Sequence, residues 1–387
     1  MHRAPLLNII IIATLLIAIA VNIYSKEKVP GAASAISELQ LVMPEADVFK
    51  EKQEPFVYYE AYNKNRLIGH CFYSIDVAPE EKGYGGFMQI LVCLGKDDKI
   101  KNLRILYHNE APQHTHTITG PEFLDQFKGK GHGDAFIIGE DIDAITHATI
   151  SSRAVATILK TSVHKLQAAI HGYKKVKPGK QPLNLDIDFY LTILIITFFL
   201  VAFYLKKSLL RYAGLFISVV YFGFVKANFI SMSNLGSIFL WRLPDPRSNV
   251  AWYVFIFSGI GLTFVFTKFY CTYMCPFLGL QIFLNKILKF NIKITAALGK
   301  RLRRIRFFLL WILTILVLIL NNQNIVNYEP FSTVFLRSGS IVAWCILLIV
   351  LGMSLFHHRP FCHYFCATGA FLDILSGWGR RIFRKKT

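Results

Sequence analysis

Four of the seven cysteines form two pairs with the same spacing, Cys271-x-x-x-Cys275 and Cys362-x-x-x-Cys366. Residues four apart lie on one side of a helical turn, so two such turns could present four thiolates to one metal centre. This set favours an iron–sulfur cluster, 4Fe-4S in its usual four-thiolate form. Four thiolates also bind zinc, and unreactive buried cysteines are common near membrane ends, so the spacing leaves both alternatives open.

Thr149 is the second residue whose position suggests chemistry. It ends the segment Asp143-Ala-Ile-Thr146-His-Ala148-Thr149, directly before a helical pattern. Small Ala148 leaves room beside the threonine hydroxyl, and the free N–H groups of a first helical turn suit a phosphate, so a phosphoester on Thr149 is chemically reasonable. A plain helix N-cap needs no cofactor, and the residues alone favour that simpler role.

The composition is that of a membrane protein, because 53% of the residues are hydrophobic and only 17% are charged. The formal net charge is +19, and the excess of Lys and Arg over Asp and Glu is distributed unevenly along the chain. From Asp186 to the end there are 22 Lys and Arg against 5 Asp and Glu. Basic residues clustered beside apolar segments indicate orientation in a membrane rather than a phosphate-binding face. We therefore predict no nucleic-acid partner.

Six segments are apolar for long enough to cross a bilayer. The first, at 6–23, is longer than the apolar core of a signal peptide, so we expect residues 1–24 to form an uncleaved anchor. The others belong to a five-span membrane domain at 185–387 and lie at 188–205, 210–230, 250–270, 307–322 and 339–356. This topology places most of the basic residues, both termini and both cysteine pairs at the cytoplasmic face of a bacterial inner membrane. A disulfide between these cysteines is disfavoured there, since the cytosol is reducing.

The polar region at 25–184 is predicted to be an extracytoplasmic α+β domain. Strand patterns lie at 56–59, 69–75, 88–94 and 100–105, and helical patterns lie at 121–127 and 151–171. Cys71 and Cys93 fall on two of these strands and could form a disulfide or be buried singly. The predicted fold class is thus a membrane protein with an extracytoplasmic α+β domain and a helical transmembrane domain.

Residues 143–149, followed by Ile-Ser-Ser-Arg-Ala-Val, resemble the site at which a flavin transferase esterifies FMN to the last threonine of extracytoplasmic FMN-binding domains. Gly83-Tyr-Gly85-Gly86 and His108-Asn-Glu110-Ala-Pro resemble two further signatures of those domains, in the same order. His147 and Gln113 differ from the glycines that are usual at their positions. The resemblance implies a covalent FMN on Thr149 and a flavin site that includes Asp143, Thr146, Ala148, His108, Glu110, Gly85 and Gly86.

The cysteine pairs, with Pro276 after the first and Tyr328-Glu-Pro-Phe before the last span, resemble the membrane segment of NosR/NirI-type proteins and reductive-dehalogenase-associated membrane flavoproteins. The resemblance implies electron transfer between a cytoplasmic or quinol donor and an extracytoplasmic acceptor. The apolar cores contain no histidine pair for a haem, so a quinone or a partner membrane subunit is expected to connect sites separated by a bilayer about 30 Å thick. The alternative function is a redox-sensing regulator or a maturation accessory of a partner metalloenzyme.

Overall fold

The computed structural model describes residues 3–24, 36–81, 83, 87–108, 110, 118–145, 149–172, 185–244, 246–247, 249–288, 292, 294–322, 326 and 328–384. The chain forms two compact units. We call Lys26–Gln181 the sheet unit, and Met1–Ser25 together with Pro182–Thr387 the helical unit. Helix α1 (Arg3–Tyr24) begins the chain and belongs to the helical unit.

The sheet unit contains an antiparallel five-stranded sheet in the order β1-β2-β3-β4-β5. Its strands are β1 (Val48–Lys52), β2 (Tyr58–Asn63), β3 (Arg66–Tyr73), β4 (Gln89–Gly95) and β5 (Ile100–Tyr107). Tight turns connect β2 to β3 and β4 to β5, where Asn65 and Asp98 adopt φ values of 64° and 59°. Asn and Asp tolerate this left-handed region, which explains why the chain can reverse at these points.

The helices of the sheet unit cover both faces of the sheet. They are α2 (Ile36–Val42), α3 (Ser74–Val77), α4 (Pro121–Leu124), which continues as a 3₁₀ turn at Asp125–Phe127, and α5 (Thr149–His171). The apolar stripe of α5, including Leu159 and Val163, shares a core with Val92 on one face. Leu39 of α2 shares a second core with Leu91. The first of these cores holds α5 against the sheet, and Ile105 of β5 packs against the same core.

Cys71 and Cys93 lie directly opposite each other on β3 and β4 and form a disulfide. The sequence left a disulfide and two separate buried thiols as alternatives. Strand pairing decides between them, because it places the two side chains side by side on the same face of the sheet.

The helical unit continues after α5 with helices of very different lengths. They are α6 (Ile187–Leu205), α7 (Ser208–Ile217), which continues as a π-helical segment at Ser218–Val225, α8 (Met232–Phe239), α9 (Val250–Phe266), α10 (Pro276–Leu288), α11 (Ala296–Leu320), α12 (Pro330–Leu336), α13 (Ile341–Phe356), α14 (Pro360–Tyr364) and α15 (Ala367–Arg384).

Within the described residues, two helices are long and apolar enough to cross a membrane, namely α6 and the continuous segment Ser208–Val225. A third span results if α12 and α13, which meet at a bend of 97°, are counted together. The segments Ile11–Ile23 and Val250–Phe266 are shorter apolar helices. These findings support a membrane protein with two or three candidate spans.

Two predicted spans have bounds that differ from those of the helices found at the same positions. The span predicted at 250–270 ends at Phe266, because Thr267 and Lys268 adopt φ values of 51° and 59° and reverse the chain. The span predicted at 307–322 overlaps the second half of α11, which begins at Ala296 and ends at Leu320. Hydropathy identifies only the apolar part of a helix. The prediction therefore left out the basic first turns of α11, although Lys and Arg are good helix formers.

Candidate functional site

The first turn of α5 is attached to the loop that follows β5. Glu110 of that loop is almost completely buried, with 2% of its surface exposed, and it accepts a hydrogen bond from the Ser151 hydroxyl. Because α5 begins at Thr149, this contact brings the loop beside the helix end that the sequence singled out. The predicted site residues Glu110 and Thr149 therefore belong to one local structure.

The segment that leads into α5 is held by side chains of neighbouring elements. The Ile145 N–H donates to the buried Ser152 hydroxyl at 3.3 Å, and the Asp143 N–H donates to Gln126 Oε1 at 2.7 Å. Both bonds fix backbone groups of the segment rather than the Asp143 carboxylate, which belongs to an exposed residue. Asp143 thus contributes its backbone to the described structure of this segment.

His108 lies at the end of β5 and is half-buried. Burial lowers the pKa of its imidazole, and its Nδ1 atom has no hydrogen-bond partner among the described residues. A neutral imidazole with an unpaired nitrogen can donate or accept one hydrogen bond. This property suits a flavin contact, which remains a prediction for His108.

Several predicted flavin-site residues lie outside the described residues, namely Gly85, Gly86, Thr146 and Ala148, and nothing is described of the Thr149 side chain. Conversely, the sequence did not single out Ser151 and Ser152, which attach the helix end to the two neighbouring segments. The sequence did contain a signal for these two serines, because adjacent hydroxyl residues are unusual in the core-facing first turn of a helix.

Ser151→Ala should destabilise the sheet unit, because it removes a hydrogen-bond donor from the buried Glu110 carboxylate. A lost partner of a buried polar group costs roughly 1–3 kcal/mol. Ser162→Ala is a matched control, since Ser162 is also fully buried on α5 but donates to the Ile158 carbonyl of its own helix. Thermal unfolding followed by flavin fluorescence should show a lower midpoint for Ser151→Ala than for the control. Equal midpoints would contradict this role.

The two cysteine pairs have one type of backbone hydrogen bond in common. The Cys275 N–H donates to the Tyr270 carbonyl at 2.9 Å, and the Cys366 N–H donates to the Phe361 carbonyl at 2.9 Å. Each bond spans five residues, one more than in an α-helix. The second cysteine of each pair then precedes a helix, since Cys275 lies before α10 and Cys366 lies before α15.

This arrangement corrects one expectation from the spacing. The sulfurs of a pair were expected on one side of a regular helical turn. Instead, Cys271 lies in a π-helical turn, and Cys275 lies beyond it in an extended conformation with φ −71° and ψ 114°. Pro276 explains the break in the first pair, because proline disfavours helical backbone in the residue before it.

A chain reversal precedes each pair. Lys268 and Arg359, each three residues before the first cysteine, adopt φ values of 59° and 56°. After the first reversal Tyr270 packs against α9, where its N–H donates to Thr263 Oγ1 at 3.0 Å and a Cβ on Gly259 would lie 3.0 Å from its ring. The first cysteine pair therefore lies on a segment that returns alongside α9, and not on a continuation of that helix.

The four cysteine side chains converge within the helical unit. Cys275 and Cys362 pack against the same apolar cluster of Leu215, Leu278 and Ile282. Cys271 and Cys275 pack against a second apolar cluster, and Cys275 also packs against the cluster that contains Cys366. All four are free thiols, and each is half-buried or buried.

The described residues contain no group of three or more His, Cys, Asp or Glu side chains placed to hold a metal ion. Four thiolates can bind either zinc or an iron–sulfur cluster, so these side chains by themselves leave both alternatives open.

Hydrogen-bond donors surround the cysteine sulfurs. The Gly369 N–H donates to Cys366 Sγ at 3.1 Å, and the Gln281 side-chain amide donates to Cys362 Sγ at 3.0 Å. The backbone N–H groups of Phe277 and Leu278 point at Cys275. Hydrogen bonds to the sulfurs stabilise thiolates and the clusters that they hold, so the donor set fits a tetrathiolate cluster.

The Tyr328-Glu329 segment, noted in the sequence, supports the second cysteine pair. The Tyr328 hydroxyl donates to the Phe365 carbonyl at 2.9 Å and accepts from the Ala367 N–H at 3.2 Å. The buried Glu329 carboxylate accepts from Thr368 Oγ1 at 2.8 Å, in the first turn of α15. The segment therefore fixes the backbone on both sides of Cys366.

Residues 83–164 match the FMN-binding domain family, and residues 248–295 and 341–386 match the 4Fe-4S binding domain family. One subunit of the proton-translocating ferredoxin:NAD(+) oxidoreductase complex of Clostridium ljungdahlii is 31% identical over 134 residues, which are 33% of this chain and 69% of that subunit. The chain belongs to the family of this subunit and is an FMN electron-transfer protein. Thr149 lies within the FMN-binding match, and each cysteine pair lies within one of the two 4Fe-4S matches.

Two further relatives extend the comparison. The regulatory protein NosR of Pseudomonas aeruginosa is 28% identical over 184 residues, which are 43% of this chain and 25% of NosR. A subunit of the ion-translocating oxidoreductase complex of Methanosarcina acetivorans is 30% identical over 116 residues, which are 29% of this chain and 59% of that subunit. The chain thus spans a quarter of NosR and more than half of each oxidoreductase subunit. The resemblance to NosR-type flavoproteins is confirmed, as are FMN and an iron–sulfur cluster as the cofactors.

Proposed function

We propose that the chain transfers electrons across a bacterial cytoplasmic membrane, between a cytoplasmic or quinol donor and an extracytoplasmic acceptor. The observation that carries this proposal is the presence of two redox sites in separate compact units. The FMN-binding match lies in the sheet unit, whereas both 4Fe-4S matches lie in the helical unit. FMN exchanges electrons singly or in pairs and the cluster exchanges them singly, so the two can operate in series.

Six spans with the sheet unit outside remain our proposal for the topology. Two helices, or three with the bent pair, meet the length and hydropathy expected of a span, and two shorter apolar helices and the apolar part of α11 would supply the others. The excess of Lys and Arg in the proposed cytoplasmic loops supports the orientation. The disulfide between Cys71 and Cys93 also supports an extracytoplasmic sheet unit, since disulfides persist in oxidising compartments.

We place the flavin at the start of α5, attached by a phosphoester to Thr149. The first helical turn leaves N–H groups without intrahelical partners, and these groups can hold phosphate oxygens. Glu110 and Ser151 fix the neighbouring loop against the same turn. A flavin transferase would form the ester during maturation. A quinone or a partner membrane subunit would carry electrons between the two sites.

Sealed vesicles can test the direction of transfer and the role of the cysteines together. Full-length protein is reconstituted with a low-potential reductant enclosed, and added protease verifies which molecules expose the sheet unit. The enclosed reductant should reduce FMN in the wild type, with a membrane quinone added if needed. The rate of FMN reduction in Cys362→Ser should fall to near zero, because the substitution removes a cluster ligand. Equal rates in both proteins would refute transfer through the cysteine site.

The similarity to NosR, a regulatory protein, favours a second function, that of a redox sensor or an accessory factor for a partner metalloenzyme. A sensor needs reducible centres but no sustained flux. The same vesicles separate the two functions when an excess of external acceptor is present. Continued consumption of the enclosed reductant supports an electron-transfer protein, and a single reduction of the bound centres supports a sensor.

A further inference from the structure

We infer that Gln281 sets the reduction potential of the iron–sulfur cluster through its hydrogen bond to the Cys362 sulfur. The inference rests on the proposed electron-transfer function and assigns one side chain to its control. Gln281 lies on α10, the helix that follows the first cysteine pair, and Cys362 belongs to the second pair. The bond from Gln281 Nε2 to Cys362 Sγ measures 3.0 Å and connects the two halves of the site.

The surroundings of Gln281 indicate that this amide does not serve packing alone. Its side chain is fully buried, with 0% of its surface exposed. Its Oε1 atom has no hydrogen-bond partner among the described residues. A buried amide with an unpaired end destabilises a fold relative to a leucine of similar size. The Gln281 amide donates to the Cys362 sulfur, so we assign its role to the cluster that this sulfur would bind.

The direction of the effect follows from charge. When one electron enters the cluster, no bond forms or breaks, and the added negative charge spreads over the iron atoms and the sulfurs. An N–H donor stabilises the more negative state more strongly, so it raises the reduction potential. Removing the donor should therefore make the cluster harder to reduce.

Gln281 can be tested more directly than the other donors. The donors to Cys275 and Cys366 include backbone N–H groups, which side-chain substitution does not remove. Gln281→Leu removes the amide at nearly constant volume. Gln281→Met also removes the amide and keeps an unbranched side chain of similar length. Asn285→Leu is the matched control, because Asn285 is a buried amide one turn further along α10 that donates to the Ser354 carbonyl.

The experiment is a redox titration of the full-length protein, purified anaerobically with its cluster, with dithionite as the electron source. Electron paramagnetic resonance separates the cluster signal from that of FMN. Gln281→Leu should lower the equilibrium constant for reduction about tenfold, which is about 59 mV for one electron. Gln281→Met should shift the potential in the same direction by a similar amount, and Asn285→Leu should match the wild type.

Two results would overturn the inference. One is a wild-type potential in Gln281→Leu with full iron content. The other is loss of iron from both Gln281 variants, which would make the residue structural. An absent cluster signal in the wild type itself would refute the cluster assignment first, and the inference with it.

Discussion

Serine at Cys271, Cys275, Cys362 or Cys366 should remove the iron and acid-labile sulfide from the protein, from about four irons per chain to near zero. Each of these four thiols is free and is half-buried or buried, and the four converge within the helical unit. A serine hydroxyl is a much weaker iron ligand than a thiolate, so the loss of one of four thiolates should release the cluster. The loss of iron and sulfide should therefore be nearly complete in each of the four serine variants.

Cys345→Ser is the control for these variants. Cys345 is also a free cysteine of the helical unit, but it is exposed on α13. Iron, sulfide and zinc are measured on anaerobically purified protein, and circular dichroism verifies that each variant retains its helices. Cys345→Ser should keep the wild-type iron content. Stoichiometric zinc without iron in the wild type would contradict the iron–sulfur assignment.

Thr149→Ala should abolish covalent attachment of FMN, because it removes the oxygen that would form the phosphoester. Thr149 begins α5 and lies two residues before Ser151, which binds Glu110 of the neighbouring loop. FMN should stay with the wild-type chain after denaturation, provided that a flavin transferase is co-expressed. The variant should lose all of this denaturation-resistant flavin.

Thr157→Ala provides the matched control on the same helix, since the Thr157 hydroxyl donates to the Arg153 carbonyl within α5. Flavin fluorescence of the denatured chain and the mass of the peptide that contains Thr149 report the adduct. Thr157→Ala should retain FMN at the wild-type level. Release of FMN from the denatured wild type, or its retention by Thr149→Ala, would each contradict an ester at this position.

The sequence predicted the central strands of the sheet and the long helix beside them from local patterns. The strand predicted at 88–94 corresponds to β4, Gln89–Gly95, and the helix predicted at 151–171 corresponds to α5, Thr149–His171. Patterns of apolar and polar residues are reliable where the same periodicity continues over a whole helix or strand. Strand β1 was not predicted, because its charged residues pair at the sheet edge and give little apolar signal.

The helical unit shows where hydropathy gives too little information. The sequence predicted an apolar segment at 250–270, but the chain reverses after Phe266 and brings Tyr270 back against α9. Apolar composition is the same for a helix that continues and for a segment that returns beside it. Backbone conformation at Thr267 and Lys268 decides between the two, and Gly259 leaves space for the returning ring.

The sequence by itself determined the chemical inventory of this protein. The spacing of the paired cysteines favoured an iron–sulfur cluster and left zinc open, and FMN followed from the resemblance of the threonine motif to FMN-binding domains. The tertiary structure alone showed that Gln281 contacts Cys362 and that Ser151 contacts Glu110, across separations of 81 and 41 residues. It also paired Cys71 with Cys93. Contacts over such separations depend on how whole elements pack, and no local pattern of side chains encodes that packing.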